Sequence, residues 1–239
     1  MFIHYRTRGF VIKKIDRGEA DQVFVIFTKD FGRLRLLARA ARKIKSKLRG
    51  GLKLFSLSEI EFIQGKTYKT LTDAQTVKNF DRVSKSLIRL KTACKIGEIL
   101  NSLVKEEERD ENIWNLIGET FKKLNDDPLK AIQAPLVYYY FFWNLIDLIG
   151  YRPSVYNCAA CQKKIIPEPL YFNSEQGGVV CSNCYKKLKS GKKISADLVK
   201  ILRVVFGKNW KNLVKLKIKP AHYRALKNIS DNYYQYLIQ

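Results

Sequence analysis

YNCAACQKKIIPEPLYFNSEQGGVVCSNCY, running from Tyr156 to Tyr185, carries four of the chain's five cysteines as Cys158, Cys161, Cys181 and Cys184. Each Cys-x-x-Cys can set two thiolates on one tight turn. The 19 residues between the pairs suffice for a hairpin that brings them together as a tetrahedral set, a geometry suited to zinc. Pro167 and Pro169 interrupt the segment, Gly177-Gly178 can turn it, and the apolar Val179-Val180 leads into Cys181, which fits a small zinc ribbon at about residues 155–187. With all four positions filled by protein, no site is left for a substrate water. The expected cofactor is therefore one structural Zn2+. A redox pair, a disulfide framework or coincidence are the competing readings, and the paired spacing at both ends speaks against them. Disulfides would also need an oxidising compartment. The opening MFIHYRTRGFVIKKID lacks the unbroken apolar run of a signal peptide, so the expected location is a reducing cytoplasm. Cys94 falls among Leu87, Leu90, Ile96 and Leu100 in a helical pattern and is expected to be a buried core thiol.

Upstream, residues 9–80 read as strands. Phe10 to Ile15, Val23 to Phe27, Arg33 to Leu37, Leu57 to Gln64 and Thr67 to Thr72 are short, apolar or alternating runs, with Gln75 to Lys78 as a further short strand. Thr28 to Gly32 is expected to turn a hairpin, Gly32 taking a positive φ. About five short strands in that length predict a small closed barrel, of which the OB-fold is the commonest nucleic-acid-binding kind. An SH3-like barrel satisfies the same periodicity. From Asp81 onward the period is helical. Val83, Leu87, Leu90, Cys94, Gly97, Leu100 and Val104 form the expected buried stripe. A second helix is expected over Ile113 to Leu124, and Asn125-Asp126-Asp127-Pro128 as the cap of the next. Leu136 to Gly150 is nearly all apolar or aromatic, but it is too short to span a bilayer and Asn144 and Asp147 interrupt it. It is predicted to be a core helix. Ser195 is expected to cap a helix through Phe206, ended by Gly207, and a last helix follows Pro220. The fold class is thus α+β and multidomain: an N-terminal OB-fold β-barrel over 1–80, then a helical domain over 81–239 that carries the four-cysteine ribbon.

Charge is unevenly placed in this 239-residue chain of net charge +23. Residues 1–80 hold 18 Lys+Arg against 7 Asp+Glu (+11), residues 81–150 hold 10 against 11 (−1), and residues 151–239 hold 17 against 4 (+13). Two basic ends flank a neutral middle, which predicts a polyanionic partner, and nucleic acid is the usual one. No amphipathic basic helix or lipidation signal points to a membrane. The densest run lies between Arg33 and Lys53, where Arg33, Arg35, Arg39, Arg42, Lys43, Lys45, Lys47, Arg49 and Lys53 occur with no acid. These nine are the expected nucleic-acid contacts, on a loop that self-repulsion should keep mobile until phosphates neutralise it. The acidic run Glu106-Glu107-Glu108, followed by Arg109-Asp110-Glu111, is expected to be a solvated turn between helices rather than a magnesium site.

GEADQVFVIFTKDFGRLRLLARAARKIKSKLRGGLKLF resembles the N-terminal OB domain of the RecO family of DNA repair proteins. The likeness lies in the strand closing on Thr28, Gly32 after it, and the basic ARAARKIKS stretch before Gly51 and Leu54-Phe55. LIDLIGYRPSVYNCAAC and LYFNSEQGGVVCSNC resemble the same family at Gly150, Tyr151, Pro153, Cys158, Cys161, Phe172, Gly177, Gly178, Cys181 and Cys184. The resemblance implies a bacterial, nucleoid-associated recombination mediator. Such a protein binds single- and double-stranded DNA, anneals complementary strands, engages the C-terminal tail of single-strand-binding protein (SSB), works with RecR, and through it lets RecA load. It also implies that the ribbon is an insertion in one helical domain. The alternative from residues alone is a zinc-containing RNA-binding factor in translation or ribosome assembly. An enzyme is not expected. His4 and His222 are the only histidines, and no metalloprotease, P-loop or nucleophile-elbow motif occurs.

Overall fold

The computed structural model describes residues 3–126 and 133–239, except for the side chain of Arg49. Asp127 and Pro128 of the expected cap lie outside the described residues. The chain divides into two compact units, Met1–Tyr138 and Tyr139–Gln239.

In the first unit, strands β1 (His4–Arg17), β2 (Asp21–Thr28), β3 (Gly32–Ala38), β4 (Leu57–Gln64) and β5 (Lys69–Lys78) close a barrel in the order β1-β2-β3-β5-β4. β4 pairs back onto β1, and the only parallel pairing in the barrel joins β3 to β5 through Leu36–Lys69 and Leu37–Thr70. This is the OB-like barrel that the strand pattern predicts. β1 is longer than the run Phe10 to Ile15 because it serves two neighbours: His4–Phe10 pair with β4, and Gly9–Arg17 with β2. Its first half hides among charged residues, since Arg6 and His4 face outward to the Glu59 and Glu61 carboxylates of β4 at 3.5 and 2.5 Å. The two short runs at 67–78 are one strand, interrupted by irregular pairing near Thr72 and Val77.

Alternation puts Ser58, Ile60 and Phe62 of β4 inward. Ile60 and Phe62 share a core with Phe24, Ile26, Leu34, Leu36 and Leu71, and Leu48 and Leu52, in and just after the short helix α1 (Leu48–Gly51), join it. The β2–β3 turn forms as expected. Thr28 Oγ1 donates to the Gly32 carbonyl (2.8 Å) and accepts from the Phe31 N–H (3.0 Å), and Gly32 sits at φ +63°. Space is a second reason for glycine there, since a Cβ would lie 2.1 Å from the Glu108 carbonyl oxygen.

Helices α2 (Asp81–Ser84), α3 (Leu87–Leu103) and α4 (Glu111–Asn125) complete the unit. Phe10, Phe55 and Phe80 pack on Phe121 at 5.9, 5.8 and 5.5 Å between ring centroids, and Phe10 meets Trp114 at 4.8 Å. Of the expected stripe, Val83, Gly97, Leu100 and Val104 are buried and Leu90 is half-buried, but Leu87 and Cys94 are exposed, and Ala93, Ile96 and Ile99 belong to the buried face instead. Two polar residues disguise the true stripe: Thr92 is buried, and Arg89 is buried because its guanidinium donates to the Leu124 and Asp126 carbonyls at the end of α4. Cys94 is therefore not a core thiol.

In the second unit, α5 (Ala134–Leu148), which begins before the division, is buried without break from Leu136 to Ile146, as its all-apolar sequence predicts. Trp143 packs on Phe172, Phe206 and Tyr233, and buried Asn144 donates to the Tyr140 and Val205 carbonyls. Strands β6 (Leu170–Asn173), β7 (Gly178–Val180) and β8 (Lys192–Ile194) form a small sheet in the order β7-β6-β8, with α6 (Ser182–Leu188) after β7. Helices α7 (Ala196–Phe206), α8 (Trp210–Lys215) and α9 (Pro220–Ile238) follow; Ser195 caps α7 by accepting from the Leu198 N–H (3.2 Å). No helix among the described residues is long and apolar enough to cross a membrane.

Candidate metal centre and nucleic-acid interface

The first cysteine pair sits on a knuckle fastened to β7. The Ser154 N–H donates to the Gly177 carbonyl, and the Val179 and Ala159 N–H groups donate to the Ser154 and Val179 carbonyls at 2.8 and 2.7 Å. Gly178, at φ +154°, permits this approach, since a Cβ there would stand 2.4 Å from the Ser154 oxygen. The knuckle closes through Cys158 N–H to the Lys163 carbonyl and Gln162 N–H to the Cys158 carbonyl, with Gln162 in the left-handed region at φ +61°. Cys181 stands at the N-cap of α6, which brings Cys184 round one turn later.

The result is four Sγ atoms within 4.8 Å of one another, Cys161 and Cys181 at 4.0 Å. Tetrahedral zinc with Zn–S of about 2.3 Å sets sulfurs ~3.8 Å apart, so the four thiols fit that ion's geometry. Their electrostatics agree. Burial would raise the Cys158 thiol, but backbone N–H donors from Cys161, Cys181 and Ala160 outweigh it and bring it down to about 6. Burial and hydrogen bonds with the other three cysteines push Cys184 up to about 12. Cys158 is thus favoured as a thiolate while Cys184 beside it resists ionising; a dication would relieve that conflict between the two. The sequence pattern thus brings together all four residues it singled out.

The basic segment divides. Arg39, Arg42, Lys43, Lys45, Lys47 and Lys53 are exposed, and Arg35 is exposed with its Nε 2.7 Å from a Glu106 carboxylate oxygen. Arg33 corrects the sequence expectation, because it is 7% exposed and held internally. Its Nε donates to the Val104 carbonyl (2.8 Å), and its terminal nitrogen donates to Asn101 Oδ1 and to Glu106 (3.2 and 3.1 Å). The acidic run is the exposed turn between α3 and α4 that the sequence predicts, and it is also tied to the barrel: Glu107 donates its N–H to the Arg33 carbonyl and ion-pairs with Lys69. The 39–47 segment is tethered rather than free, its cations spread over anchored turns. Ala40 donates to Asp21 Oδ1 (2.7 Å), Arg42 N–H to the Ala20 carbonyl (3.0 Å), and Ala41 is buried.

Residues outside that run join the same end of the barrel. Arg42 reaches the β1–β2 turn, donating to the Gly18 carbonyl (3.3 Å). At the end of β1, exposed Arg17 lies over the Tyr68 ring of the β4–β5 turn, 4.4 Å from its centroid, and donates to its hydroxyl (3.0 Å). These two turns are where OB barrels take single strands, and Tyr68, 47% exposed, offers a ring there. The sequence pattern passes over Arg17 and Lys14; Arg17 pairs with Asp21 across the β1–β2 turn, and Lys14 lines one hollow with Ala41 and Arg42.

Models of two families match the chain: "Recombination protein O N terminal" over residues 1–80 and "Recombination protein O C terminal" over residues 84–239. Among curated relatives, a DNA repair protein RecO of Dehalococcoides mccartyi is 33% identical over 214 residues, covering 90% of this chain and 83% of the relative. The DNA repair protein RecO of Halalkalibacterium halodurans is 25% identical over 230 residues (96% and 88%), and that of Roseiflexus sp. 29% over 235 (98% and 81%).

Proposed function

Because this chain belongs to the RecO family of DNA repair proteins, we propose that it is a recombination mediator. It binds single- and double-stranded DNA, anneals complementary strands including those coated by SSB, and with RecR promotes RecA loading, in the cytoplasm. Membership sets aside translation as the setting. The observation that carries the DNA reading is the exposed cation set Arg39, Arg42, Lys43, Lys45 and Lys47 beside the Arg17–Tyr68 turn pair. Phosphates meet the cations while bases stay open to pair.

The protein acts by binding, without a covalent step. Two complementary strands repel through their phosphates, and basic surface lowers that repulsion so that pairing energy alone drives the reaction. An acidic SSB tail is drawn to the same kind of surface. Cys158, Cys161, Cys181 and Cys184 hold one structural zinc ion that ties the knuckle to α6.

Fluorescence-quench annealing of labelled, SSB-coated strands is the test. We expect acceleration without any nucleotide, diminishing as salt rises. Reversing Arg42, Lys43, Lys45 and Lys47 to Glu should weaken binding to all sequences alike and make the log–log salt slope shallower by about 0.7 per lost single-strand contact. Rates equal to the protein-free control at low salt, or a requirement for ATP, would refute the mediator reading.

A further inference from the structure

Between the first cysteine knuckle and the β6–β7 turn lies a cleft of about 300 Å³, wholly within the second unit. Tyr156, Asn157, Gln162 and Gln176 line it, with Arg152 among the lining residues. Its volume is at the low end for a small-molecule site, roughly 300–1,000 Å³. Tyr156 is 53% exposed, a large ring left open beside a rigid knuckle. The guanidinium carbon of Arg203 lies 4.8 Å from the centre of that ring, and Arg203 is itself fixed by donating to the Val155 carbonyl (2.9 Å). Arg203 is not among the residues that line the cleft, whereas Tyr156 is, so the cation and the cleft both meet this ring.

The side-chain amides of Asn157 and Gln176 are exposed at the cleft and make no hydrogen bond among the described residues. Each offers a donor and an acceptor, which is what the edge of a nucleobase presents in return. Exposed Lys163 and Lys164 adjoin the lining residue Gln162, and the backbone of Lys164 bridges to Asn157. An aromatic face, free amides and adjacent cations are the parts of a single-strand site, in which bases stack, edges bond and phosphates are neutralised.

We propose that this cleft holds one unstacked base of a single strand, stacked on Tyr156 and bonded at its edge by Asn157 and Gln176, with Lys163 and Lys164 taking the neighbouring phosphates. The inference rests on the DNA-binding reading above but adds a base-contacting site remote in sequence from the barrel. Phosphate contacts are blind to whether a base is present, whereas this site is not.

The experiment compares oligo-dT with an abasic oligonucleotide of the same length and charge, each titrated with the full-length protein. Wild type should prefer oligo-dT. Tyr156→Ala should weaken oligo-dT about tenfold while leaving abasic affinity and the salt slope unchanged, and Tyr156→Phe should behave as wild type. Should Tyr156→Ala lower the melting temperature, the paired surface variant Asn157→Ala/Gln176→Ala replaces it and should reduce the preference in the same direction. Equal binding of the two strands by wild type overturns the inference, as does a preference unchanged in the variants or an equal loss on both strands. Failure of wild type to bind either strand overturns the DNA-binding reading itself.

Discussion

Arg33 and Arg35 point from neighbouring positions of β3 toward one carboxylate, Glu106, at 3.1 and 2.7 Å, yet only Arg35 reaches solvent. Burial pushes the Arg33 guanidinium below its usual range, and the nearby Glu106 charge opposes that shift. Three acceptors compensate the buried cation, and one of them, the Val104 carbonyl, belongs to the residue that ends α3. Removing the cation leaves that carbonyl and Asn101 without their donor. Arg33→Ala should therefore cost about 2 kcal/mol of stability, read as a lower urea midpoint, and should leave the salt slope of single-strand binding untouched. A shallower slope with unchanged stability would show that Arg33 touches phosphate after all. In the sequence Arg33 is indistinguishable from Arg42. What separates them is a partner 71 residues away, and no local pattern carries that information.

At the level of elements, the ribbon is where residue spacing and structure agree most closely. Its chemistry is local: two Cys-x-x-Cys turns, a glycine pair at the hairpin and an N-capping Cys181 are all read within thirty residues. Replacing Cys161 and Cys184 by Ser should abolish zinc, expected at one per chain by elemental analysis, and lower the melting temperature by about 10 °C, since metal-binding free energy is folding free energy. An unchanged melting temperature with zinc lost would deny the ion its structural role. Elements defined by distant neighbours were harder to read. β1 doubles its length by pairing on both sides, and the α3 stripe shifts because Arg89 and Thr92, polar in composition, are satisfied by the α4 end and by the Ile88 carbonyl. Periodicity scores such residues as surface; only their partners show otherwise.

Across the whole molecule, the +11 and +13 ends of the chain are carried by separate folded parts, the barrel and the ribbon with its following helices. That supplies basic surface in more than one place, which is what the annealing role we propose requires. The family boundary falls between residues 80 and 84, where strands give way to helices, but the first compact unit runs on to Tyr138. The aromatic set explains why. Phe10, Phe55 and Phe80 on the barrel side have Phe121 and Trp114 of α4 as their partners, and Glu106 and Glu107 are bonded along β3 and β5. Anyone who wishes to cut this chain should heed that seam. A fragment stopping at residue 80 would present three phenylalanines to water and leave Arg33 and Arg35 without Glu106, and we expect it to bind ANS and lack a cooperative melt. A fragment stopping at 138 should melt sharply. Cooperative unfolding of the shorter piece would mean that the barrel is transplantable on its own; otherwise the smallest unit that can be grafted, swapped or crystallised in isolation extends past its strands to take in α2, α3 and α4.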